Sequence, residues 1–127
     1  MTRHTIFAAA ALVAALTPAA RAAELYTAPT QAPDGTLMRC VITNVSTSPV
    51  SVTGTIQDGA GNDLKTSGNC YGNPAVLDPG QFCSIDSAIP GWKVGYCHFT
   101  ASSSKVRAAL EVVSNGGVVT STIPATK

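Results

Sequence analysis

Four cysteines limit how this chain can fold more than any other feature. Cys40, Cys70, Cys83 and Cys97 are separated by 30, 13 and 14 positions, and none forms the short Cys-x-x-Cys pair of zinc ribbons or thioredoxin-type redox sites. Their meaning depends on the N-terminus. Met1-Thr2-Arg3-His4 is a short positive segment, Ile6 to Leu16 is an unbroken apolar run of 11 residues, and Thr17-Pro18 interrupts it before the small-x-small triplet Ala20-Arg21-Ala22. That order is the pattern of a secretory signal peptide, expected over residues 1–22 with cleavage after Ala22. Eleven apolar residues are too few to span a bilayer of about 30 Å as a helix. An exported chain meets an oxidising compartment, so the cysteines are expected as two structural disulfides rather than as metal ligands.

Removing 22 of the 127 residues leaves 105, enough for one domain over residues 23–127. Arg3 and Arg21 leave with the signal, so six basic residues face seven acidic ones. Such a balance gives no electrostatic footprint for nucleic acid, and the mature chain has no stretch long enough for membrane insertion. With 45% hydrophobic residues the chain has a core to bury, though a small one that cross-links would help.

The hydrophobic pattern has a period of two. Met38, Cys40 and Ile42 alternate with Arg39, Val41 and Thr43, and Val50, Val52, Gly54 and Ile56 alternate with Ser51, Thr53, Thr55 and Gln57. Gly95, Cys97 and Phe99 fall on one face of a further strand, with Val94, Tyr96 and His98 on the other. Val106, Ala108, Leu110 and Val112 face inward on the next, and Val118 to Ile123 form the last. Pro33-Asp34-Gly35, Leu77-Asp78-Pro79-Gly80 and Pro90-Gly91 are turn signals, and Asn115-Gly116 predicts a tight primed hairpin turn. With no amphipathic helix between these runs, the fold class is all-β: a single antiparallel Greek-key β-sandwich of about seven strands.

The order strand-Cys40, hairpin, loops, strand-Cys97, hairpin resembles an immunoglobulin-like or fibronectin-like sandwich over most of residues 24–124. That resemblance implies a bridge between sheets. Trp92 precedes Cys97 instead of following Cys40, and Gly95 stands two residues before Cys97, so the likeness is not to antibody-type domains. The chain also resembles small uncharacterised secreted bacterial proteins with a Cys…Asn, Pro-Gly, Tyr-Cys and Ile-Pro-Ala pattern. Neither likeness brings an activity with it.

Chemical signatures are few. His98 is the one histidine after residue 22, and no Gly-x-Ser-x-Gly elbow accompanies it or Asp78 and Asp86, so no catalytic residue is assigned. A blue-copper site needs two histidines, and the Asp58–Asp63 loop lacks the calcium-loop spacing; no metal and no cofactor are expected. Asn44-Val45-Ser46 matches the glycosylation pattern, which carries no weight in a bacterial-type exported chain. Tyr71, Trp92 and Tyr96 are candidates for an exposed aromatic binding patch. The expected function is an exported, non-catalytic module, secreted or periplasmic, that binds a protein or a surface glycan. The alternative is a secreted enzyme inhibitor, or an enzyme, using the cysteine-bracketed loop 71–82.

Four cysteines allow three connectivities. Cys40 and Cys97 lie mid-strand on inward faces, whereas Cys70 and Cys83 flank a chain reversal, which favours the nested pairing Cys40–Cys97 and Cys70–Cys83. On this reading the inner bridge mainly holds one loop. N-terminal sequencing of the exported protein should give Ala23 as the first residue, with Glu24 the competing start; an intact Met1 in that fraction would overturn the signal assignment.

Overall fold

A computed structural model describes residues 21–64, 67–88 and 91–127. The apolar leader and Pro90 therefore lie outside the described residues. Ten strands are present among those described: β1 (Ala23–Thr27), β2 (Thr30–Ala32), β3 (Leu37–Asn44), β4 (Val50–Asp58), β5 (Ser67–Gly68), β6 (Ala75–Leu77), β7 (Phe82–Ala88), β8 (Lys93–Ala101), β9 (Val106–Val113) and β10 (Val119–Thr126). All ten pair antiparallel, in the order β5-β7-β3-β9-β10-β1-β8-β4-β6, with β2 also on β8. The count exceeds the expected seven: β2, β5 and β6 are only two or three residues long, and β1 lies before Pro33, where no strand was expected. Instead of two separate sheets, one sheet curls into a half-barrel, its halves joined where β10 meets β1 at Tyr26–Thr126 and Thr27–Ala125.

Alternation decides which residues enter the curl. Along β3 the even positions Met38, Cys40, Ile42 and Asn44 are buried, and along β4 so are Val50, Val52, Gly54 and Ile56. Phe99, Met38, Ile42, Ile56, Ile85 and Leu110 are fully enclosed between the halves. Each such side chain contributes about 1.5–3 kcal/mol by leaving water. Two glycines make room for the largest of them. A Cβ on Gly54 would lie 2.5 Å from the Phe99 ring, and one on Gly95 would lie 2.7 Å from the Met38 sulfur.

Both disulfides form as expected, Cys40–Cys97 and Cys70–Cys83. The first joins β3 in one half to β8 in the other. The second is not a peripheral loop staple. Cys70 is 0% and Cys83 2% exposed, and the Cys70 carbonyl accepts a 2.9 Å hydrogen bond from Gly54 N on β4, while Cys83 belongs to β7. Each bridge thus ties one half of the sheet to the other.

Turn chemistry follows the sequence at two places and departs from it at one. Gly35 (φ 74°) and Gly80 (φ 81°) take the positive φ that closes the Pro33–Thr36 and Asp78–Gln81 turns. In the last hairpin the positive φ falls on Gly117 instead of Asn115-Gly116. Gly117 N donates to Ser114 O and Ser114 N to Val118 O, the three-residue hairpin in which a left-handed glycine follows a type I turn. No strand is expected from the sequence before Pro33, yet β1 and β2 run along β8 there. From Tyr26 to Thr30 the chain advances one residue more than β8 does, a bulge at Ala28-Pro29 where proline has no N–H to give. The Thr27 hydroxyl fills that break by accepting from Cys97 N at 2.9 Å.

Because both bridges cross the core, replacing either pair by alanine should destabilise the fold by about 2–5 kcal/mol in urea unfolding. The Cys40–Cys97 pair should cost about 1 kcal/mol more, since it closes a separation of 57 residues against 13. A Cys70→Ala/Cys83→Ala loss below about 1 kcal/mol would contradict the inter-half role of the inner bridge.

Candidate binding face

The outer surfaces of the two halves differ in chemistry. On the β3-β7-β9 side, Arg39 Nε donates to Asp86 Oδ1 at 2.8 Å, and Glu111 stands opposite Arg39 on β9. The hydrogen bond and charge of Asp86, then the charge of Glu111, hold the Arg39 guanidinium above its ordinary pKa. Exposed pairs of this kind contribute about 0–1 kcal/mol, and here they keep that surface polar and self-paired.

The β1-β8-β4 side carries aromatic rings. Cys97 and Phe99 point inward from β8, so Tyr96 and His98 point outward by alternation. Register sets Tyr26 of β1 beside His98 and Thr55 of β4 on the other flank, with Glu24, Thr100 and Thr53 in the adjacent row. The Tyr26 and His98 rings stack with centroids 4.4 Å apart and planes within 3°, and Tyr96 tilts against Tyr26 at 6.5 Å. Tyr26 remains 40% exposed. Its hydroxyl donates to Glu24 Oε2 at 3.0 Å, and that bond to a carboxylate, which favours the protonated phenol, raises the Tyr26 pKa.

The three aromatic residues singled out from sequence are dispersed. Tyr96 lies in this cluster. Trp92 is 66% exposed just before β8, and Tyr71 packs half-buried against the core beside Gly54. No ring contact among the described residues joins either to Tyr96. Tyr26, the ring that makes the cluster, was missed. Its signal was the Ala23-Glu24-Leu25-Tyr26-Thr27 alternation, which would have placed Tyr26 outward.

Other chemistry-bearing groups are bound up locally. Asp86 is held by Arg39, and Asp78 N is tied to Gln81 Oε1 within the turn. Asp58 Oδ1 accepts from Ala60 N and Asn62 N, and the Asn62 backbone bond leads the set that lowers the Asp58 pKa. That carboxylate closes its own hairpin loop. No group of three or more His, Cys, Asp or Glu side chains among the described residues is arranged to hold a metal. The segment 71–82 is anchored at β6, which pairs with β4, and exposes Val76 (68%) and, next to it, Phe82 (65%).

Two buried polar atoms on the aromatic face, His98 Nε2 and Thr55 Oγ1, have no hydrogen-bond partner among the described residues. An unmet buried hydroxyl is a cost, so removing it loses nothing. Thr55→Val keeps the shape and branching of the residue in a strand. Its unfolding free energy should match the wild type or exceed it by up to about 1 kcal/mol; a loss above about 1 kcal/mol in denaturant titration would show that the hydroxyl is paired in solution.

No family model, curated protein or solved structure matches this chain.

Proposed function

We propose that this chain is an exported, non-catalytic binding module that engages a protein or a surface glycan through the outward face of β1, β8 and β4. The observation that carries the reading is the Tyr26–His98 stack, a pair of ordered rings left 40% open at Tyr26 in the middle of a sheet face. Stacked rings have little rotamer freedom left to lose on binding, which favours recognition. Two disulfides suit an oxidising, extracellular-type environment, and no helix among the described residues is long and apolar enough to cross a membrane. Both features are consistent with a periplasmic or secreted location. The Cys40–Cys97 link between the two halves supports reading the curled sheet as an immunoglobulin-like sandwich with its edge closed by β10 and β1.

A second reading has its own observation. Val76 and Phe82 are bulky, exposed and held on a segment bracketed by Cys70 and Cys83, as an inhibitor loop would be. The two readings separate in one experiment. Residues 23–127 with both bridges intact are immobilised and exposed to envelope extract, beside a Tyr26→Ala/Tyr96→Ala variant and a Val76→Ser/Phe82→Ser variant. Material captured by the wild type should fall at least about tenfold with the tyrosine variant and persist with the other. Loss with the loop variant alone would transfer the function to segment 71–82.

A further inference from the structure

We propose that the ligand of the aromatic face is a β-linked pyranose glycan, one sugar ring of which stacks on the free face of Tyr26. This rests on the binding-module reading and narrows it to one ligand chemistry. The His98 imidazole covers one side of the Tyr26 ring at 4.4 Å, which fixes the plane of the phenol. On the side away from β8, the register partner of Tyr26 is the exposed Thr126 of β10, and Tyr26 itself stays 40% exposed. An aromatic face carries negative quadrupole charge and attracts weakly positive C–H groups. A pyranose with all-equatorial substituents directs its axial C–H bonds to the two ring faces and its hydroxyls to the rim, so it presents what an upright phenol needs.

The surroundings select the same ligand. Thr53, Thr100, Thr126 and Gln57 border the rings, neutral groups that can donate to and accept from sugar hydroxyls. Glu24 supplies one anionic acceptor, already oriented by the Tyr26 hydroxyl. The Arg39–Asp86 ion pair, with Glu111 opposite Arg39, stands on the other half of the sheet. An apolar protein surface would find the rings set among hydroxyls, and a polyanion would meet Glu24 with no cation beside it in these rows. A neutral, hydroxyl-rimmed ring meets neither penalty.

The test uses residues 23–127 with both disulfides, titrated calorimetrically with cellohexaose and chitohexaose, and with α-linked maltohexaose for comparison. At least one β-linked hexasaccharide should bind saturably, at least about tenfold tighter than maltohexaose. Tyr26→Leu, which keeps bulk and loses the ring, should weaken it about tenfold, whereas Tyr26→Phe should stay within about threefold. Denaturant unfolding of both variants verifies that the fold is retained, and Tyr26→Phe decides the matter if Leu is not tolerated. Absence of saturable binding of either β-linked probe at millimolar concentration overturns the proposal, as does Tyr26→Leu binding equal to wild type. If the wild type binds neither probe but captures envelope protein in a Tyr26- and Tyr96-dependent manner, the glycan assignment falls and the module reading stands. Loss of both observations removes both.

Discussion

The Cys40–Cys97 bridge is the constraint from which the rest of the arrangement follows. It joins the central strands of the two halves, β3 and β8, at positions that are 0% exposed. Fixing Cys97 inward fixes the parity of all of β8, because neighbouring side chains on a strand point to opposite faces. Gly95 and Phe99 must then enter the core, and Val94, Tyr96 and His98 must leave it. The aromatic face is therefore a consequence of where one sulfur points. A one-residue slip of β8 would bury Tyr96 and His98 and expose Phe99, and the covalent link forbids that slip.

Polar satisfaction separates the structural parts of this molecule from the part read as functional. Asn44 is fully buried at the end of β3, and every one of its side-chain positions is used: Nδ2 donates to Ser48 O and Leu77 O, while Oδ1 accepts from Ser46 N and Ser46 Oγ. It locks the β3–β4 corner to the end of β6, and its amide has no room for a glycan despite the Asn44-Val45-Ser46 pattern. On the outer face of β8 the opposite holds, with His98 Nε2 and Thr55 Oγ1 buried and without a partner among the described residues, beside the half-exposed Tyr26. A network closed at every position rigidifies, whereas a buried group left unmet is a cost to the fold.

What could be read from the sequence was local and periodic. The alternations of β3, β4, β8 and β9, the Asp78–Gln81 turn and the nested cysteine pairing each follow from residues a few positions apart or from strand parity. The remainder depends on partners far away in the chain. β5 and β6 hold only two and three residues, too short for any period to show, and exist because β7 and β4 offer them hydrogen bonds. β1 is five residues starting with alanine, so its alternation is faint until β8 pairs with it. The Tyr26–His98 stack needs that register, and no spacing within either segment announces it. The Asn115-Gly116-Gly117 run offers two glycines for one left-handed position, and hydrogen bonding from Ser114 to Val118 selects the second.

The nested pairing also has a bearing on the order of events in a chain that emerges from its N-terminus. Cys40 appears first and Cys70 next, so an oxidant acting on thiols as they arrive would join those two, a linkage absent from the folded protein. Cys97 arrives last, after β8 has largely emerged, and only then can Cys40 find its partner. Native linkage therefore demands either that Cys40 remain a thiol until most of the chain is through, or that an early mismatch be exchanged away by thiolate attack. Cys70 must stay free or be released as well, but only until Cys83 follows it 13 positions later. The maturation of this small domain is gated by its slowest-arriving sulfur.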